Sequence, residues 1–193
     1  MMKGLLKFSI LVGCFPLACF AATAQEVAHA LVGTVSSIDA TAKTITVKTD
    51  DGSEVLFKDM IGSKTRIEFD KNVRKDATVA DEFKKSGAYV IVYYFGIGNV
   101  RTVVALRSLG PGPFTKSTGT VVKFESKEHS ISVKGESGVV ESFKITSDTV
   151  AETDNGAIEG LKLRPNKGDL VRVTATAADG SATALLINAS YAP

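Results

Sequence analysis

Past its first two dozen residues this chain has no cysteine, only two histidines and no net charge. Cys14 and Cys19 both fall in that leading stretch. The remainder can therefore form neither a disulfide nor a thiolate metal site. A zinc site needs three or four converging ligands, and a nucleophile-based hydrolase needs a base, usually histidine. His29 lies so near the start of the chain that no ordered role is expected for it. His129 falls in an expected hairpin turn, Lys127-Glu128-His129, where a solvated turn residue is the simplest reading. No apolar run approaches the length of about 20 residues that a membrane helix needs.

The formal charge of +2 comes wholly from Lys3 and Lys7; from Gln25 onward 21 basic and 21 acidic residues balance. Nucleic-acid binders draw affinity from phosphate neutralisation and carry a basic footprint. The totals show none, so a nucleic-acid partner is not favoured.

The leading segment reads as a secretory signal. Lys3 and Lys7 form a short basic region, and an apolar run from Phe8 to Ala22 is interrupted by Pro16. Ala22-Thr23-Ala24 is a small-x-small site, with cleavage expected after Ala24. The expected destination is the periplasm or the exterior. A buried N-terminal helix is the alternative. A second alternative uses Leu11-Val12-Gly13-Cys14 as a lipoprotein box; only with Cys14 lipidated would the protein be tethered to a membrane.

The chain matches itself at an offset of 86 residues. Gly33-Thr34-Val35 falls on Gly119-Thr120-Val121, Ile45 and Val47 on Ile131 and Val133, and Gly52 on Gly138. Phe57-Lys58 falls on Phe143-Lys144. After small deletions, Gly87, Val90 and Val92 meet Gly168, Val171 and Val173, and Val104 and Leu106 meet Leu185 and Ile187. A repeat of this length is a duplicated domain, longer than solenoid units. Leu109-Gly110-Pro111-Gly112-Pro113 reads as the break between copies. The expected organisation is a signal at 1–24, a first domain at 25–109, a linker at 110–116 and a second domain at 117–193. Each domain is small, so docking would help both.

Both copies read as mostly strand. Lys43 to Lys48 alternates polar and apolar residues, Asp51-Gly52 supplies a tight turn, and Ser53 to Lys58 returns. Val79, Ala80 and Phe83 are spaced for one helical face over Ala77 to Ser86, with Gly87 as its cap. Strands Tyr89 to Phe95 and Val100 to Arg107 follow. The second copy repeats the order, with a short helical turn near Ile158 to Leu163. The expectation is an all-β protein with minor helix, built as two tandem OB-like five-stranded barrels. A small sandwich is the alternative.

These motifs, over 33–58 with 87–106 and 119–144 with 168–187, resemble a bacterial exported family, domain-of-unknown-function 5666. The resemblance implies OB-like barrels in the cell envelope and brings no catalytic residues. The first copy departs from the pattern in a longer charged stretch between Ile61 and Asp81.

Little chemistry is spelled out. Asp50 to Glu54 and Asp148 to Glu159 do not fit calcium-loop spacing, so turn and cap roles explain them better. The separation of paired acids for glycoside hydrolysis is not a sequence quantity, and no signal favours it. Gly96-Ile97-Gly98 joins two strands and lacks the strand-loop-helix setting of a phosphate loop. Lys64, Arg66, Lys71, Arg74 and Lys75 are interleaved with Glu68, Asp70 and Asp76; the readings are a solvated mixed-charge loop or an anion contact through Lys64, Arg66, Arg74 and Lys75. The copies differ most in one strand face: Tyr89, Ile91, Tyr93, Phe95 stand where the second copy has Leu170, Arg172, Thr174, Thr176. An apolar face of this kind marks a ligand or partner contact, or packing against the other domain or the segment around Phe83. No catalytic residue, cofactor or metal is expected. The expected function is a non-enzymatic envelope module, binding or structural, whose partner is another envelope protein, a glycan or a small ligand. The alternative is an OB-type oligosaccharide or nucleic-acid binder using the aromatic face.

Overall fold

The computed structural model describes residues 27–60, 76–96, 98–178 and 181–190. The leading segment with Cys14 and Cys19, and the cluster Lys64, Arg66, Lys71, Arg74 and Lys75, lie outside them.

The protein is all-β. The first sheet contains β1 (His29–Asp39), β2 (Thr44–Thr49), β3 (Glu54–Phe57), β4 (Thr78–Val79), β5 (Tyr89–Phe95) and β6 (Thr102–Ser108), in the order β3-β2-β1-β5-β6-β4. The second contains β7 (Phe114–Glu125), β8 (Ser130–Gly135), β9 (Val140–Lys144), β10 (Val150–Thr153), β11 (Gly156–Glu159), β12 (Leu170–Ala178) and β13 (Ser181–Ser190), in the order β11-β10-β13-β12-β7-β8-β9. Alternating sequence explains the strands: in β2, Ile45 and Val47 point into the core while Thr44, Thr46 and Lys48 face outward.

Each sheet curls back on itself. The parallel pairs Ala182↔Phe143 and Thr183↔Lys144 join β13 to β9. In the first sheet a single parallel bridge, Lys58↔Thr102, does the equivalent, with the Lys58 N–H donating to the Arg101 carbonyl at 2.9 Å. The circuits β1-β2-β3-β6-β5 and β7-β8-β9-β13-β12 are consistent with five-stranded OB-like barrels.

Features at the aligned positions of the two halves coincide in geometry. β1 is bulged between Val35 and Ser37, and β7 between Val121 and Lys123. Lys43 and His129 both occupy a left-handed turn position, with φ of 52° and 51°. Val35 donates to the Ala88 carbonyl and accepts from Gly87; Val121 does the same with Asp169 and Gly168. Gly33 and Gly119 explain themselves: a Cβ on either would collide with the carbonyl of Lys48 or Lys134 on the adjacent strand. The cores match as well. Val35, Ile45, Val47, Phe57, Val90, Val92 and Leu106 fill the first, and Val121, Ile131, Val133, Phe143, Val171, Val173 and Ile187 the second.

Two sequence expectations are corrected. Residues 77–86 do not form a helix. Thr78–Val79 pairs with β6, a single 3-10 turn spans Ala80–Glu82, and the chain then extends. Ala80 and Phe83 are buried, as their spacing suggested, but a three-residue turn satisfies that spacing. Gly87 (φ +79°) closes a turn onto β1 and caps no helix. In the second half, the short helical turn expected near Ile158 to Leu163 is present as a 3-10 turn at Gly160–Lys162, preceded by β11.

Candidate functional site

The two sheets meet along the outer face of β1, β5 and β6. There a third apolar cluster contains Ala30, Val32, Ile91, Tyr93, Val104 and Ala105 from the first sheet, with Val150 of β10 and Leu186 of β13. Both faces of β5 are therefore covered: Val90 and Val92 look into the first core, and Ile91 and Tyr93 into the seam, all at 0% exposure. Of the aromatic row picked out in the sequence, Ile91 and Tyr93 are closed to any ligand, and Tyr89 and Phe95 are half-buried. Burial pushes the Tyr93 hydroxyl up to about 12, against the opposing charge of Arg107. Arg107, itself buried, donates to the Asp148 carbonyl at 2.8 Å and so ties β6 to the turn before β10.

The start of β1 is clasped by the second sheet. The Ala157 N–H donates to the Ala28 carbonyl at 2.7 Å. The Glu152 carboxyl takes the Ala30 N–H on Oε2 at 2.7 Å and lies 2.6 Å from His29 Nδ1 through Oε1. The His29 ring stands 5.6 Å from Tyr94, over which the Arg101 guanidinium sits at 5.5 Å. Desolvation is the largest influence on Glu152 and raises its pKa, although His29 and the Ala30 amide pull the other way. Gly156 carries φ +93°, and a side chain there would run into Val27 and Ala28. The expectation of no ordered role for His29 is thus corrected. Its partner is 123 positions away in sequence, so no local pattern could have found it.

A groove of about 580 Å³ opens at one end of the seam. Its floor is an outward row across three strands, because Thr34 is opposite both Lys48 and Tyr89. Its far wall is the chain entering the second sheet, Pro111, Phe114 and Lys116. The Tyr89 and Phe114 rings lie 4.6 Å apart at 32°. The Tyr89 hydroxyl donates to the Asp50 carboxylate, at 3.0 Å and 2.9 Å from its two oxygens. Lys116 Nζ reaches the same carboxylate at 2.6 Å and lies 5.5 Å from the Tyr89 ring centre. Burial, then the Asp50 hydrogen bond and charge, drive the Tyr89 hydroxyl far above the usual tyrosine range. This lock joins the β2–β3 turn to β7 and fixes both rings. Next to Asp50, the Asp51 carboxyl is drawn down to about 2, chiefly by the Thr49 hydroxyl. A smaller cavity of about 170 Å³ lies on the other side of that turn, against Arg172, Thr174 and Asn188. Sequence reasoning had singled out Tyr89; Lys48, Asp50, Phe114 and Lys116 join it only through strand register and the path after Gly110.

The other sequence candidates do not converge. Gly96 and Gly98 flank the β5–β6 turn, and His129 is an exposed turn residue. Among the described residues no three histidine, cysteine or carboxylate side chains gather to hold a metal ion. No helix among them is long and apolar enough to cross a membrane. Protein-family models give no match to the chain. Neither does any curated protein show significant similarity to it.

Proposed function

We propose that the protein is an exported, non-enzymatic binding module of the cell envelope, and that its ligand enters the groove between Tyr89 and Phe114. Export rests on the leading segment, with cleavage after Ala24 and release into the periplasm or medium. The body is read as two OB-like domains from one duplication, joined at 110–113 and not through 116, because Phe114 already begins β7 and pairs with Thr176. The groove carries the functional reading. It combines an aromatic pair, charged side chains and open volume, and its walls come from both halves. It explains why the first copy has Tyr89 where the second has Leu170: tyrosine supplies both a ring and the hydroxyl that fixes Asp50. A binder working through the aromatic strand face has less support, because Ile91 and Tyr93 are buried.

Amide-resolved NMR titration of the chain from Gln25 onward, with a neutral hexose tetramer and a uronic-acid tetramer as probes, tests this. The expected result is shifts clustered at Thr34, Lys48, Ser108 and Phe114 with at least one probe. Shifts confined to the exposed face of β7, β8 and β9, or none anywhere, would overturn the groove as the binding site.

A further inference from the structure

The groove also constrains what it binds. Its ligand-facing charge is positive. Asp50 is consumed internally, since the Tyr89 hydroxyl and Lys116 ammonium occupy its carboxylate and its side chain is only 12% exposed. Lys116 is likewise committed to that carboxylate. Lys48, at the opposite end of the floor, is exposed and has no ion pair among the described residues. From Lys48 through Thr34 to Tyr89 the floor crosses two strand spacings, about 10 Å. Along it the chemistry changes from a free ammonium, through the Thr34 hydroxyl, to the half-buried rings of Tyr89 and Phe114, with Ser108 on the rim.

We infer that the groove takes an acidic sugar of an oligosaccharide, with its carboxylate on Lys48 and the apolar face of a ring on Phe114 and Tyr89. This rests on the reading of the groove as the binding site. A sugar offers both surfaces at once: C–H groups that sit on an aromatic ring and hydroxyls that exchange hydrogen bonds with threonine and serine. The carboxylate makes a charge-assisted bond to the unpaired ammonium, the strongest polar contact the floor can supply. A nucleic-acid strand would instead need a basic track along its backbone. The balanced charge after Gln25 and the single uncommitted lysine of the floor do not provide one.

The matching row in the second sheet sharpens the assignment. Thr120 is opposite Lys134 and Leu170, so lysine and threonine recur in register. Leucine replaces tyrosine there and is 46% exposed. That row has the ammonium without the platform, and it should not bind the sugar.

Calorimetric titration of the chain from Gln25 onward against a uronic-acid tetramer and the matching neutral hexose tetramer is the test. The acidic tetramer should bind, with the neutral one weaker by about tenfold or more, the loss expected on removing one charge-assisted bond. Lys48→Ala should remove that preference, while Lys134→Ala should leave it intact. Lys48 and Lys134 are exposed, and unchanged unfolding midpoints would show both variants folded. Equal binding of the two tetramers, or an undiminished preference in Lys48→Ala, would overturn the acidic-sugar inference and leave the groove reading standing. Displacement of the tetramer by inorganic phosphate at equal concentration would also overturn it, pointing to a general anion contact. Binding of neither sugar would remove both readings.

Discussion

β5 and β12 occupy the same place in their sheets, yet they differ in what lies behind them. Both send valines into a hydrophobic core, Val90 and Val92 in one and Val171 and Val173 in the other. Behind β5 are β10 and β13 of the second sheet, and Ile91 is fully buried there. At the matching position behind β12, Arg172 is exposed and lines a small cavity. One strand framework therefore buries both faces of β5 in one half, whereas in the other the outer face of β12 is only partly covered, with Thr174 buried and Arg172 exposed. A handful of outer residues decide this: Ile91 against Arg172, and Tyr89 against Leu170.

The contrast is most directly broken by truncation. Ile91→Ala should cost about 2–5 kcal/mol, the range for emptying a buried aliphatic site. Arg172→Ala should stay within about 0.5 kcal/mol, as surface changes do. Chemical unfolding of each variant measures both, and similar losses would mean that the two faces are not different in kind. The shared framework is sharpened by Gly33→Ala and Gly119→Ala. Each forces a methyl against a neighbouring carbonyl, so each should cost about 1–3 kcal/mol, and by similar amounts. A large effect in one and none in the other would argue against equivalent strand crossings.

The smallest effect concerns the clasp, which only the first sheet's leading strand has. The folded pKa of Glu152 is raised by desolvation above its ordinary value. A carboxyl of that kind binds its proton more tightly when folded. Its stabilising contribution is complete below the ordinary carboxylate range and is lost as pH rises through the raised folded value. Wild-type unfolding midpoints should therefore fall across that window relative to Glu152→Gln. Parallel pH profiles for the two proteins would sink the assignment.

The sequence made part of this legible. Alternation in Lys43 to Lys48 and the repeated Gly-Thr-Val located strands, and the match between copies located their shared cores. Val79, Ala80 and Phe83 misled because spacing by three and four is common to an α-helix and to a 3-10 turn with an extended exit. The outer row of β5 could be recognised as unusual, but not as covered. Its cover comes from Val150 and Leu186, far along the chain, and no local pattern reports what packs on an outward face. Phe114 and Lys116 escaped notice for a related reason. Their role depends on how the chain turns after Gly110, which brings them back over a strand already laid down.

The clasp at the head of β1 has a consequence for how the molecule is assembled. Ala28 and His29 are among the first described residues to leave the ribosome, yet their partners are Ala157 and Glu152. A growing chain can pair β1 with β2 and β5 as those strands emerge, but the contacts of Ala28 and His29 with Ala157 and Glu152 must wait until some 120 further residues have followed. Closing so long a loop is slow compared with local pairing. Until then Ile91, Tyr93 and Val104 face water as one apolar surface. The unfinished protein is thus at its stickiest midway through synthesis, and the last strands to arrive cover the first.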